Sequence, residues 1–364
     1  MTKKILTVIG ARPQFMKEAI FHRELLETTE YAEVMVHTGQ HYDANMSGDF
    51  FGELGIAEPD YNLSVNGGSC ASQVSRMVQK LEEIVHQVEP DMIVIFGDTN
   101  STLAGALVGA YNQIPVAHVE AGFRSNDMSM PEEVNRILAD KVSTLLFCCT
   151  KSNAEQLKHE GLTTGVHVTG DIMYDAALHF SSVSPDKEQK VLETMGVSPG
   201  NYLLCTIHRQ NNVEDKQRLK SIFDGLLQSG EKIILPLHPR TRKRLQDFGL
   251  WDAYAGQNIH FTEPVGYVTN LLLIKNAKKI VTDSGGVLRE AYFLKKTCIV
   301  VRDNIEFHEG VESGEIALTG AQVERITEAI GSFRSKGEFY PFFGSPDAGK
   351  RIVDIVRDYL EHDQ

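Results

Sequence analysis

Two kinds of pattern alternate along the chain. Short, unbroken apolar runs predict buried parallel strands at residues 4–9, 32–38, 91–96, 114–119, 142–149 and 166–169. Between them lie segments of helical period. One, from Ser69 or Ser72 to Pro90, carries Val74, Met77, Leu81, Ile84, Val85 and Val88 on one face. Others cover residues 12–26 and 152–160, and further helices start near Thr99 and behind Pro131. Residues 55–68 read as loop. After Gly170-Asp171 the alternation resumes, with strands at 202–207, 232–237, 259–262 and 279–282 and a last one at 297–301. The matching helices are 187–195, 216–228, 267–274 and the segment from Gly286 onward. The pattern predicts an α/β chain of two Rossmann-like doubly wound domains, 1–169 and 170–347. A C-terminal helix in 348–364 is long enough to return to the first domain.

Ligands of doubly wound sheets bind at the carboxyl ends of the strands, so the polar residues placed there are the candidates. In the first domain Asp98 follows the run 91–96, Glu120 follows 114–119, and Glu132 stands behind Pro131. Three such carboxylates on one rim suit acid/base chemistry, and their mutual repulsion favours a proton on one of them. Arg12 and Lys17 lie beyond Gly10, at a helix start that favours an anion. Gln40 and His41 follow the second strand. In the second domain His208 and Arg209 end a strand, His238 ends the next, and Tyr267 opens a helix. The run Asp283-Ser284-Gly285-Gly286 joins a strand to a helix, and its two glycines let backbone N–H groups approach phosphate oxygens. Glu290 is placed to accept a ribose hydroxyl, and Arg302 follows the last predicted strand. Plainer roles compete: Asp98 and Ser284 could be helix caps, His238 a turn residue, Arg12 a surface ion-pair partner. Acid/base groups fall in the first domain and phosphate-holding groups in the second, which puts the expected active site in the interdomain cleft.

Composition narrows the function. The 364 residues, 42% hydrophobic and 23% charged, are ordinary for a globular protein of two domains. A net charge of −13 argues against nucleic acid or an acidic membrane surface as partner. The five cysteines form no CxxC and suit a reducing, cytoplasmic setting. No apolar run is long enough to span a bilayer, and MTKKILTVIG reads as a strand rather than a signal peptide. Neither a metal-ligand cluster nor GxGxxG occurs, so no metal and no cofactor are expected.

The set Gly-Ala-Arg-Pro-Gln-Phe-Met-Lys (10–17), Gly-Gln-His (39–41), Gly-Asp-Thr (97–99), His-Val-Glu-Ala-Gly (118–122), Pro-Glu-Glu-Val-Asn-Arg (131–136), His-Arg (208–209), Asp-Ser-Gly-Gly (283–286) and Glu290 resembles the non-hydrolysing UDP-N-acetylglucosamine 2-epimerase family. The resemblance spans nearly the whole chain in order. It implies the two-Rossmann glycosyltransferase-B architecture, a UDP-sugar substrate and a homodimer. It also implies interconversion of UDP-GlcNAc and UDP-ManNAc through elimination of UDP and a bound 2-acetamidoglucal. By this resemblance Asp98, Glu120, Glu132 and His208 carry catalysis, and Arg12, Ser284, Gly285, Gly286 and Glu290 hold UDP. The chain departs from the pattern at Ala11-Arg12-Pro13-Gln14, where many members read Thr-Arg-Pro-Glu. It departs again at Ser69-Cys70, where some carry Arg-Gln for a regulatory UDP-GlcNAc, and at 305–309. The first variant resembles the branch acting on UDP-2,3-diacetamido-2,3-dideoxyglucuronate, whose sugar carboxylate Arg302 or Arg209 would pair. A hydrolysing epimerase, a retaining glycosyltransferase and a non-catalytic UDP-sugar sensor are the competing readings.

Overall fold

The computed structural model describes residues 2–28, 30–40, 51, 56–305 and 307–362, so His41 lies outside the described residues. The chain divides into two compact units, residues 1–176 with 342–364, and residues 177–341.

The first unit is built on seven strands: β1 Lys3–Ile9, β2 Tyr31–His37, β3 Tyr61–Asn62, β4 Met92–Phe96, β5 Val116–Ala121, β6 Leu145–Cys148 and β7 Val166–Val168. Their order is β3-β2-β1-β4-β5-β6-β7, every pair parallel. The central strands are apolar on both faces because helices cover both: β4 is buried at all five positions. The order in which strands are added reverses between β1 and β4, the switch point at which doubly wound sheets bind ligands. The second unit repeats the scheme with β8 Leu203–Thr206, β9 Ile233–Pro236, β10 Ile259–Thr262, β11 Lys279–Thr282, β12 Cys298–Val300 and β13 Ile316–Leu318. The order β10-β9-β8-β11-β12-β13 is again all parallel, with the switch at β8 and β11.

Several boundaries differ from the pattern. The run 142–149 contracts to β6, because Val142 is still the last residue of the helix Pro131–Val142. The two-residue β3 falls in the stretch read as loop. The last strand is β13 and not 297–301: Ile316-Ala317-Leu318 is too short to stand out from its surroundings. The helices Ile172–Ser181, Pro239–Asp247 and Val323–Ser332 also escaped the pattern.

The final helix, Ala348–His362, packs in the first unit. A side chain on Gly349 would come within 2.6 Å of Ile20, so the two helices touch closely there. Lys3 Nζ donates to the carbonyl of Leu360 near the far end. The buried Asp175 carboxylate accepts from the N–H groups of Ala348 and Gly349, at 3.3 and 3.4 Å. Burial pushes Asp175 up to about 6, and those two amides work against it.

Candidate active site

Asp98 and Glu120 stand at the ends of neighbouring strands, since Phe96 of β4 pairs with Val119 of β5. Gly97 and Glu120 both leave the strand at positive φ, +65° and +76°. A left-handed glutamate costs on the order of 1 kcal/mol, and it coincides with a register shift between Val119 and Ala121 against β6. A bulge of this kind re-aims one side chain at a strand end. Glu120 is thereby turned toward Lys17, with which it forms an ion pair; the two side chains are only 12% and 5% exposed. A Cβ on Gly97 would lie 3.3 Å from Lys17 Nζ and 3.8 Å from Glu120 Oε2, so glycine leaves room for that pair beside Asp98. Lys17 thus serves Glu120 within the protein rather than extending beside the exposed Arg12.

Asp98 is ion-paired with Arg136, and Asn135 Nδ2 donates to the Asp98 carbonyl at 3.0 Å. The cap of the helix Asn100–Tyr111 is Thr99, whose hydroxyl accepts from Thr102 N, so the Asp98 carboxylate is not consumed as a cap. Glu132 is exposed in the first turn of Pro131–Val142, one turn before Arg136. Its neighbour Glu133 is buried and structural, accepting from Ser125 N, Ser125 Oγ and Asn126 N at 2.9 Å each. Burial would raise the Glu133 carboxyl, but these donors and Arg136 bring it below its usual value. The repulsion expected among the carboxylates is met by cations: Lys17 for Glu120 and Arg136 for Asp98.

Behind this rim lies a fully buried network. His118 Nε2 donates to the Gly97 carbonyl and Nδ1 to Asp140 Oδ1, both at 2.7 Å. Asp140 also accepts from Gly122 N at 3.2 Å and pairs with Arg124 at 2.7 Å. Burial alone would lift the Asp140 carboxyl; His118 and Arg124 outweigh it and hold it low. On the other side Gln14 accepts from Gly10 N and Ala11 N, at 2.8 and 3.0 Å, and donates to the Phe96 carbonyl at 2.7 Å. It ties the first turn to the end of β4. Gln40 accepts from Ser101 N and Oγ, at 3.1 and 2.8 Å, which places it in the packing of the helix start.

In the second unit, buried Asp283 plays the organising part. Its carboxylate accepts from the amides of His208 and Arg209 at about 3.0 Å and from Asn212 Nδ2 at 3.1 Å. The turn after β8 is therefore pinned to the end of β11, with His208 half-buried and Arg209 exposed. The His208 and His238 rings meet edge to face, centroids 5.6 Å apart. His238 Nδ1 accepts from Arg240 N at 3.1 Å, so a neutral ring carries its proton on Nε2. Burial first, then the charges of His208 and Arg240, lower its pKa. Ser284 caps the helix Gly285–Phe293, its hydroxyl accepting from Val287 N at 3.4 Å. Among the described residues, chain neighbours aside, nothing lies within 4 Å of a Cβ built on Gly285, and Ser284 Oγ lies 3.8 Å from one on Gly286. Neither glycine has a positive φ, so what they provide is an uncovered helix N-terminus. Glu290 is buried, accepts from Asn270 Nδ2 at 3.4 Å, and is pushed up to about 8 by burial against the opposing charge of Arg289. Tyr267 opens Tyr267–Asn276 and meets Phe180 edge to face at 5.8 Å. Arg302 is turned inward, 6% exposed.

The UDP-N-acetylglucosamine 2-epimerase family model matches residues 23–357. The chain belongs to this family. A UDP-N-acetylglucosamine 2-epimerase homolog of Methanococcus maripaludis is 43% identical over 98% of this chain and 99% of its own. The UDP-2,3-diacetamido-2,3-dideoxy-D-glucuronate 2-epimerase of Pseudomonas aeruginosa is 40% identical over 97% and 99%. The solved structure of the Methanocaldococcus jannaschii UDP-GlcNAc 2-epimerase, in complex with UDP-GlcNAc and UDP, superposes with a TM-score of 0.85 at 38% identity, covering 98% of this chain and all of that one. The family accounts for the glycosyltransferase-B-like pair of parallel sheets. Sequence reasoning missed Gln14, His118, Asp140 and Asp283 as positioning residues. Their signal was present, since each lies within a run that carries the family resemblance or one turn from it.

Proposed function

We propose that the protein is a nucleotide-sugar 2-epimerase that inverts C2 of a UDP-2-acetamido sugar, UDP-GlcNAc and UDP-ManNAc being the parent pair. The observation that carries the reading is the re-aimed Glu120 on β5 beside Asp98 at the end of β4, in a chain of this family. The first unit supplies acid/base chemistry and the second holds UDP. The C1–O bond breaks, UDP departs with the electron pair, and the C2 proton passes to a base, leaving a bound 2-acetamidoglucal. A proton returned to the other face of C2 and re-addition of UDP at C1 complete the inversion. Asp98, Glu120 and Glu132 are the acid/base groups; removal and return on opposite faces require more than one. His208, the Gly285–Gly286 helix start and Arg209 stabilise the departing diphosphate, donors of this kind being worth about 3 kcal/mol each. Protonated Glu290 offers both a donor and an acceptor to the ribose hydroxyls. Arg12, Gln40, His238, Tyr267 and Arg302 are the remaining binding candidates.

A second substrate, UDP-2,3-diacetamido-2,3-dideoxyglucuronate, is favoured by a specific feature. Gln14 donates to the Phe96 carbonyl, which a glutamate there could do only when protonated, and Ala11-Arg12-Pro13-Gln14 resembles the variant of that branch. It also agrees with the 40% identical relative of that name. Incubation with each sugar, followed by proton NMR of the products, distinguishes the two. An equilibrium mixture of C2 epimers still joined to UDP supports the reading. Release of free sugar with stoichiometric UDP contradicts it in favour of a hydrolysing enzyme.

We also infer a homodimer. An apolar groove of about 690 Å³ runs along the helices Cys70–Val88, Asn100–Tyr111 and Pro131–Val142, lined by Val74, Val78, Leu103, Leu107 and Val134. Exposed Leu138 and Val142 on the last of these add to the apolar surface that a second copy would cover. The five cysteines form no disulfide, which suits a cytoplasmic setting, and no helix among the described residues is long and apolar enough to cross a membrane.

A further inference from the structure

Three buried carboxylate oxygens, both of Glu18 and Oε1 of Glu33, have no hydrogen-bond donor among the described residues. Glu18 is completely buried on the helix Arg12–Leu26, and Glu33 lies on β2 beneath that helix. His22 follows Glu18 by one turn and sets Nδ1 2.5 Å from Glu33 Oε2. One ligand atom from each of the three residues falls within 4.8 Å of the others. A buried carboxylate with no donor, facing a second that has a donor on one oxygen only, is costly, and the pair must share a proton or a cation.

We propose that Glu18, His22 and Glu33 bind a divalent transition-metal ion of the zinc class. The donor set is one imidazole nitrogen and two carboxylate oxygens, with the i, i+4 spacing of Glu18 and His22 placing two ligands on one helix face. Three protein ligands leave a fourth position for water. Closing the ligands onto an ion at about 2.0–2.2 Å needs only side-chain movement from their present separation. The ion reaches the site past His22, whose side chain is 24% exposed against 7% for Glu33. Asp60 adds negative charge nearby, its carboxylate held by Met35 N at 2.8 Å and its field acting on His22. None of these residues belongs to the proposed acid/base or UDP-holding set; the ion would link the first helix to β2.

The test uses the full chain stripped with a chelator and titrated with zinc chloride by calorimetry, with cobalt(II) as a coloured probe. One equivalent of zinc is expected to bind and to raise the melting temperature, because an ion bound only by the native state stabilises it. Bound cobalt is expected to give visible d–d absorption. His22→Ala and Glu18→Met should each lower the affinity by at least about tenfold and remove the cobalt band. Glu18→Met replaces the buried carboxylate with an apolar chain of similar size, so folding is retained. Two results would overturn the proposal: no stoichiometric binding by the parent chain, or binding that both variants leave unchanged. If Glu18→Met melts higher than the parent and the parent binds no metal, the carboxyl pair shares a proton instead.

Discussion

Lys17 and Glu120 form a nearly buried ion pair, and Glu120 reaches it from a left-handed backbone at φ +76°. The strand bulge, the positive φ and the cation act together to fix one carboxylate beside Asp98. Lys17→Met should strand that charge and lower stability by roughly 3–5 kcal/mol. The double variant Lys17→Met/Glu120→Gln should recover most of that loss without recovering turnover. Chemical denaturation and steady-state assays on the same samples check both halves.

Gln14 is held as an amide by its neighbours. It accepts from two backbone N–H groups and donates to the Phe96 carbonyl and to Thr102 Oγ1, the latter at 3.1 Å. Gln14→Glu keeps the size and loses both donors, setting an anion against a carbonyl. A stability loss of about 1–3 kcal/mol is expected at pH 7, shrinking in acid as the carboxyl protonates. Urea midpoints at the two pH values measure it.

Glu290 makes stability depend on pH in a known direction. Its folded value, about 8, stands above the ordinary 4.5 because burial disfavours the charge. The unfolded chain therefore releases this proton first, and the stability due to the protonated carboxyl declines as pH rises from about 4.5 to about 8. Glu290→Gln cannot ionise, so its melting temperature should fall less across that interval and exceed the parent's at pH 8. Parallel thermal scans report the difference.

Asp283 accepts from the backbone amides of His208 and Arg209. Asp283→Asn keeps the shape but turns one acceptor into a donor facing those N–H groups. The loss should fall mainly on kcat, by about a hundredfold for a misplacement near 1 Å. Substitution at His208 itself should then add little, because the two act through one group.

The strand ends were legible in the sequence because parallel strands buried on both faces are unbroken apolar runs that stop at the ligand rim. That is how Asp98, Glu120, His208 and the Asp283–Gly286 turn could be picked out. Periodicity carries no register, so it could not show the bulge that turns Glu120, nor Lys17 facing inward. It gives no hydrogen-bond partners either, which hid Gln14 and the His118–Asp140–Arg124 network. Strands of two or three residues, β3 and β13, are below the length at which a pattern exists. Glu18 and Glu33 are polar residues interrupting apolar surfaces, and only their meeting in space distinguishes them from a solvated face.

The central claim is that C2 of a UDP-sugar loses and regains its proton while UDP departs and returns. Incubating the protein in heavy water with UDP-GlcNAc, and separately with the diacetamido uronate, tests it by mass spectrometry and NMR. The account predicts one deuterium at C2 in both epimers of the accepted sugar, with the sugar still joined to UDP. Full retention of the original hydrogen at C2 with both sugars would contradict it.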